Sequence, residues 1–535
     1  MFFADDPYCH PGKMMGERMK PTQEQDQIGE RATRLGPGET LKVIAFAGSG
    51  KTTTLTLCAK RRSDRGIYLA FNKAIADEAK VRLGRTKCGA STMHGLAYGV
   101  MREIMGEPAR VNARSLMETG LLDQHRPPMI KGWGSYRVAA AVCRTMVAFA
   151  NSADTEIGPS HALEALIDSV GDPDFLAGDE ARMKAEEAIR FLTTPLVEIA
   201  TSYWLRCIEE GAYSHDMYLK MLDLDDGIRQ DAFGRFRYLM IDEAQDINPV
   251  QRSILFKTGL PLIAVGDPYQ QIYSWRGAEN ALRLMKGEEL YLTQSFRFGE
   301  EIAEIARLTL STRPDGGPAQ RLTGLGPGDQ SAHTGPKGAI ICRTNIGMLD
   351  EAMKCLNSGH PVHVDKMEDL LADTRSAQAL FEGRTEDVTS PEIRQFDNWE
   401  QLELAAEEGD PSLNKLVKLV RGRRTPEVER LGQMHQKSPD GARLMVCTGH
   451  RSKGLEFPAV MMGEDWADVD RLKKRHQTAL VRSEKHVTAA NEEFNLLYVA
   501  FTRAMTRLRG HQRILFPEPD PSSEPREEER DARPA

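Results

Sequence analysis

The stretch Ala45-Phe-Ala-Gly-Ser-Gly-Lys-Thr52 constrains this chain more than any other. An apolar run from Val43 to Phe46 leads into it and a helical pattern opens at Thr52, so the segment reads as strand, glycine-rich turn and helix. Glycines let several backbone N–H groups crowd one small volume, and a helix start adds positive potential at the same point. Such a turn takes phosphate. Ala47, Gly48, Ser49, Gly50, Lys51, Thr52 and Thr53 would wrap it, with the Lys51 ammonium on the outer phosphates and the Thr52 hydroxyl placed to ligate Mg2+. The first position of the general pattern holds Ala45 where glycine is usual.

A second signal lies about two hundred residues on, in Tyr238-Leu-Met-Ile-Asp-Glu-Ala-Gln-Asp246, an apolar strand ending in two carboxylates. Downstream of a phosphate turn, Asp242 and Glu243 would share the metal, and Glu243 would polarise an attacking water as general base. Strand and helix patterns alternate through Leu41 to Ala79 and again through Phe236 to Leu282, the rhythm of a parallel sheet covered by helices. Between them the pattern turns helical, over Ser135 to Asn151 and Asp179 to Cys207. Glycine and proline cluster from Thr312 to Gly338, a hinge before new strands at Ala339 to Cys342 and Arg443 to Thr448.

At 535 residues the chain exceeds one hydrophobic core. The expected fold class is α/β, two parallel sheets with flanking helices, broken by helical insertions. Its expected segments are an N-terminal extension (1–20), a first lobe in two parts (21–94 and 235–290) around a helical insert (95–234), a second lobe in two parts (291–349 and 440–515) around a short insert (350–439), and a disordered acidic tail (516–535). No apolar run is long enough to cross a bilayer and the N-terminus lacks the basic-then-apolar order of a secretory signal, so a cytoplasmic protein with no membrane partner is expected. Eight cysteines without a Cys-x-x-Cys pair predict reduced, buried thiols. A net charge of −8 argues against a polyanion ligand, but the tail from Phe516 holds −4 of it, leaving room for local basic patches. Two such patches are Lys415 to Arg424 and Arg471 to His476.

The combination resembles the UvrD, Rep and PcrA group of superfamily 1A helicases, and the phrases Ala45-Phe-Ala-Gly-Ser-Gly-Lys-Thr and Ala70-Phe-Asn-Lys-Ala-Ile-Ala are most similar to its compact F-box DNA helicase branch. The family's motifs run in order from about Pro21 to Leu508. Because the first begins at Pro21, any ubiquitin-ligase role of that branch is expected not to carry over. The resemblance implies two RecA-like P-loop lobes and an ATP-dependent DNA helicase using Mg2+, moving 3' to 5' on single-stranded DNA and acting at single-strand/duplex junctions, with loading or repair proteins as further partners.

It also assigns residues. In Pro21-Thr-Gln-Glu-Gln25, Gln25 would read adenine through its amide. Phe71, Asn72 and Lys73, with Thr92 and His94, would meet DNA in the first lobe. In Val265-Gly-Asp-Pro-Tyr-Gln-Gln-Ile-Tyr-Ser-Trp-Arg-Gly277, Gln270 and Asp267 would sense the γ phosphate, while Tyr273, Trp275 and Arg276 would reach a base. Leu292-Thr-Gln-Ser-Phe-Arg297 would give Phe296 to the adenine face and Arg297 to the γ phosphate. Tyr498-Val-Ala-Phe-Thr-Arg-Ala504 would supply a second arginine finger, Arg503. In Cys447-Thr-Gly-His-Arg-Ser-Lys-Gly-Leu-Glu-Phe457, Thr448, His450 and Lys453 would contact the DNA backbone and Glu456 the ribose.

With those assignments, hydrolysis at the cleft between lobes would drive an inchworm cycle. Two other readings use some of the same residues. A helicase-nuclease is disfavoured because little chain follows Arg503 and no metal-binding carboxylate set stands in for a nuclease. A DNA-independent, ATP-driven binding switch or protein-remodelling ATPase is separated from the motor by whether single-stranded DNA stimulates turnover.

Overall fold

The computed structural model describes residues 20–517 except 106–120, 122–126, 128, 131–132, 171–172, 174–178, 273–279, 319, 327–335, 391–392, 395, 397, 408–410, 440–441 and 482–483. The tail from 518, and Tyr273, Trp275 and Arg276, lie outside the described residues. The chain divides into two compact units, Met1–Phe296 with Glu403–Asn414, and Arg297–Leu402 with Lys415–Ala535.

The first unit is built on a six-stranded parallel sheet: β1 (Thr40–Ala45), β2 (Gly66–Ala70), β3 (Cys88–Thr92), β4 (Tyr238–Ile241), β5 (Leu262–Gly266) and β6 (Glu288–Leu292), in the order β3-β2-β4-β5-β1-β6. Val43 pairs with Val265 on one side and Leu290 on the other. Every residue of β2, β4 and β5 is buried, as expected for strands covered on both faces. Side chains alternate across the sheet. Leu41, Val43, Tyr68, Met240, Ile263 and Val265 pack on one face with residues of α1 (Gln23–Thr33), α2 (Lys51–Arg61) and α3 (Lys73–Leu83). Ile67, Leu69, Leu239, Ile241, Leu262 and Ala264 pack on the other with α4 (Met93–Met105), α5 (Ser135–Asn151), α6 (Pro159–Val170), α7 (Asp179–Glu209) and α8 (His215–Leu224). The long helix α7 runs to Glu209, two residues beyond the sequence expectation, and accommodates Pro195 within it. One close approach depends on glycine: a Cβ at Gly66 would stand 2.1 Å from the Tyr238 ring.

The connection from β1 passes over β5 and β4 to reach β2. The carboxyl ends of β1, β5 and β4 are therefore neighbours, and the segments that follow them, at 46–52, 267–270 and 242–246, meet where an open parallel sheet binds its ligand.

The second unit holds a five-stranded parallel sheet: β7 (Gly338–Cys342), β8 (His363–Val364), β9 (Leu444–Thr448), β10 (Phe457–Met462) and β11 (Ala504–Arg509), in the order β8-β9-β7-β10-β11. Segment 350–439, read from sequence as a helical insert, contributes β8 to this sheet: His363 and Val364 pair with Met445 and Val446. A two-residue edge strand is too short to leave an alternating pattern, which is why sequence reading passed over it. Among the described cysteines none forms a disulfide, and all but the half-buried Cys355 are buried. No described helix is long and apolar enough to cross a membrane.

Candidate functional site

Two left-handed glycines shape the turn after β1, Gly48 at φ 73° and Gly50 at φ 81°. The Ser49 amide and hydroxyl both donate to Phe46 O, at 3.2 and 2.7 Å, and the Phe296 amide donates to Gly48 O at 2.9 Å. Helix α2 starts at Lys51 with no side-chain cap, which leaves its first N–H groups to an incoming acceptor. A Cβ at Gly50 would lie 3.1 Å from Gln25 Nε2 and 3.8 Å from the Phe296 ring, so the fold brings both proposed adenine contacts to this turn. Gln25 is held by a capping box: its Oε1 accepts from the Thr22 amide at 3.1 Å, and its own amide donates to Thr22 Oγ1 at 3.2 Å. That bond occupies one end of the Gln25 amide, so it is Nε2 that faces the turn.

The acidic ends of β4 and β5 complete the arrangement. Lys51 Nζ lies 2.8 Å from Glu243 Oε2, and Thr52 Oγ1 donates to Asp242 Oδ2 at 3.4 Å. The Tyr68 hydroxyl donates to the same Asp242 oxygen at 2.5 Å. Gln245 ties the strand ends together: its Nε2 donates to Glu243 Oε2 at 2.7 Å and Asp246 Oδ2 at 3.1 Å, while its Oε1 accepts from the Asp267 amide at 3.0 Å. Gln270 Nε2 in turn donates to Asp267 Oδ2 at 2.7 Å. Glu243 sits in the left-handed region, φ 52°, a conformation costing a non-glycine residue about 1–2 kcal/mol. It is pinned there by its amide on Asp242 Oδ1 at 2.9 Å and by the Asp246 amide on its carbonyl, also at 2.9 Å.

The charges are out of balance. Burial disfavours the Lys51 cation, but the pull of Glu243, Asp242 and Asp267 outweighs it and holds the ammonium above its ordinary range. Burial and then the Glu243 charge push Asp242 up, against the opposing pull of Lys51 and the Tyr68 hydrogen bond. Three carboxylates face one ammonium, and a hydroxyl stands beside one of them. These are the oxygen donors that a hard divalent cation takes when phosphates supply its remaining ligands. Among the described residues no group of three or more His, Cys, Asp and Glu is placed to hold a metal ion by itself.

Other sequence-predicted residues fall at the carboxyl ends of β2 and β3, along the same sheet edge. Phe71 is 47% exposed. Asn72 Oδ1 caps α3 by accepting from the Ile75 amide at 2.9 Å, and Lys73 opens that helix, exposed. Thr92 Oγ1 likewise accepts from the Gly95 amide at 2.9 Å, so Asn72 and Thr92 already spend an oxygen on local backbone. His94 packs edge-on to Tyr218, with Nε2 at 4.0 Å from Asp216.

In the second unit, Arg297 and Glu456, assigned separately to phosphate and ribose, bind each other at 2.6 Å, and Arg297 also donates to Thr502 O at 3.0 Å. Arg503 is 1% exposed and donates to Val499 O at 2.9 Å and Leu455 O at 3.3 Å. Thr448 is buried at the end of β9, and His450 and Lys453 follow it in a short helical turn, half-buried. Sequence reasoning missed Tyr68 and Gln245 as site residues, although Gln245 lies between the acids that follow the Tyr238–Ile241 strand. A tyrosine in an aliphatic strand and an amide between two acids were the available signals.

A strand, glycine-rich turn and helix with the acidic ends of two parallel neighbours beside it define a P-loop nucleoside triphosphatase. Residues 25–289 match the family model of the UvrD/REP helicase N-terminal domain, and residues 190–509 that of the UvrD-like helicase C-terminal domain. The chain belongs to the UvrD-like helicase family, and its two parallel sheets are the family's two RecA-like lobes. It is 28% identical to F-box DNA helicase 1 of Gallus gallus over 91% of this chain and 48% of that protein. The same identity holds with F-box DNA helicase protein 1 of Schizosaccharomyces pombe, over 91% of this chain and 57% of that one. DNA helicase IV of Escherichia coli is 26% identical over 55% of this chain and 48% of its own length. The chain thus spans about half the length of these curated relatives.

Proposed function

We propose that this chain is an ATP-dependent DNA helicase that translocates on single-stranded DNA with 3' to 5' polarity and separates duplex ahead of it. The observation that supports it most is the convergence of Lys51, Thr52, Asp242 and Glu243 at the carboxyl ends of β1 and β4. In this reading the turn amides and Lys51 bind and orient the outer phosphates, and Gln25 with Phe296 receives adenine. Thr52 and Asp242 hold Mg2+, which would neutralise phosphate charge. Glu243 takes a proton from the attacking water, and Gln245 keeps the Glu243 carboxylate aimed. Asp267 and Gln270, joined to Gln245, relay the state of the phosphates along the sequence toward Trp275. Arg297 and Arg503 supply further positive charge during phosphoryl transfer. For Arg297 this requires release from Glu456, and for Arg503 exchange of its carbonyl partners.

Phe71 and Trp275 stack on bases, while Lys73, Thr92, His94, Thr448, His450 and Lys453 touch the backbone, which makes movement independent of sequence. The test is an unwinding assay on duplexes with a 3' or a 5' single-stranded overhang. Strand separation from the 3' overhang alone is expected. Unwinding from the 5' overhang alone contradicts the polarity, and turnover indifferent to DNA contradicts the motor in favour of a DNA-independent switch.

A further inference from the structure

We propose that the first lobe carries a second DNA contact, a cationic cavity that takes the phosphate backbone of duplex DNA at the end of the sheet opposite the phosphate turn. It rests on the motor reading only for the choice of DNA as ligand. The cavity, of about 500 Å³, opens between the C-terminal ends of α2 and α3 and the residues leading into β3. Its wall holds Lys60, Arg62, Arg82, Arg85 and Lys87. Two of these are neutralised, Arg62 by Asp64 at 2.7 Å and Arg82 by Glu78 at 2.5 Å. Lys60, Arg85 and Lys87 are exposed and have no carboxylate partner among the described residues.

Like charges around one concavity repel each other, and on a chain of net charge −8 nothing about overall composition requires them there. In the basic stretches of the second unit only part of the charge is paired. Arg471 and Lys473 face Asp468 and Asp470 at 3.2 and 3.8 Å, and Arg424 binds Asp350 and Glu427 at 2.5 and 2.7 Å. Those cations have partners, whereas the three around the cavity await an external anion.

Placement and chemistry select the anion. Lys60 lies about 14 Å along the α2 axis from Lys51, and Lys87, just before β3, lies about 17 Å from Thr92 at the strand's far end. The cavity is therefore separate from the nucleotide turn and from the residues assigned to single-stranded DNA. Unpaired bases bind on aromatic faces, and no described aromatic lines this wall. A duplex hides its bases and presents phosphate, which a wall of lysine and arginine matches.

The test uses the full chain and a triple variant, Lys60→Glu with Arg85→Glu and Lys87→Glu, all at exposed positions. Binding of a blunt hairpin duplex is followed by fluorescence anisotropy across a salt series. ATP turnover with a short single-stranded oligonucleotide is measured in parallel. The expected result is weaker duplex binding with a salt slope flatter by about 2 to 3, while oligonucleotide-stimulated turnover is unchanged. Unchanged duplex affinity and slope overturn the proposal, as does an equal loss for hairpin and single strand, which would assign the cavity to the single-strand track. Absence of DNA stimulation in the unsubstituted chain contradicts the motor reading instead, and the hairpin comparison still decides the cavity.

Discussion

The Lys51 ammonium and the Glu243 carboxylate form an ion pair of 2.8 Å within the first lobe. Both are groups that phosphoryl chemistry would use, so a triphosphate has to draw the lysine off the glutamate, which frees the base as the phosphates are gripped. Glu243→Gln keeps the side-chain shape and the backbone turn while removing the base and the ion pair. Turnover is expected to fall by about 10²- to 10⁴-fold with ATP affinity kept or improved. Single-turnover hydrolysis and nucleotide binding check it, and normal turnover would mean that another group is the base.

Tyr68 acts through Asp242. Its 2.5 Å hydrogen bond favours the ionised carboxylate that burial and Glu243 disfavour. Tyr68→Phe removes that donor and little volume, so Asp242 should be harder to ionise. The Mg2+ concentration for half-maximal turnover should rise by about tenfold or more, and the acid limb of the pH profile should move to higher pH. A variant with lower turnover but an unchanged Mg2+ requirement and pH profile would reduce Tyr68 to a packing residue.

Phe71, 47% exposed where β2 ends, has little core packing to lose. Phe71→Ala is expected to leave DNA-free ATP turnover intact while weakening single-stranded DNA binding by about 1–3 kcal/mol, the worth of one stacked base. Titration with a labelled oligonucleotide measures this, and unchanged affinity would remove Phe71 from the DNA track.

The most legible parts of the sequence were those where chemistry is local. Ser135–Asn151 carries its helical period without interruption, and the phosphate turn needs its glycines, lysine and threonine at fixed spacing. Partnerships between distant residues were hidden. Nothing near Tyr68 announces Asp242, and nothing near Arg297 announces Glu456, because each pair is made by strand order or by packing rather than by neighbouring residues. The edge strand His363–Val364 was hidden for a different reason, being too short to carry a period.

In the second lobe, His435 is buried with neither ring nitrogen hydrogen-bonded, and its ring lies 6.2 Å from that of His363. Burial, then the His363 charge, holds His435 below its ordinary value of 6.5. The fold therefore favours the neutral ring. As pH falls below about 6.5 the unfolded chain takes up a proton that the folded chain resists, so stability present above that pH is lost on acidification. Thermal unfolding at pH 7.5 and 5.5 should show a smaller acid-side loss in His435→Leu than in the unsubstituted chain. An equal loss in both would place the acid sensitivity elsewhere.

The most direct test is steady-state ATP turnover, with and without single-stranded DNA, for the unsubstituted chain and for Lys51→Ala. DNA should stimulate the unsubstituted chain, and the substitution should cut turnover by at least about 10²-fold under both conditions, because it removes the positive charge facing the phosphates. Turnover that survives in Lys51→Ala, or that ignores DNA in the unsubstituted chain, would contradict the account.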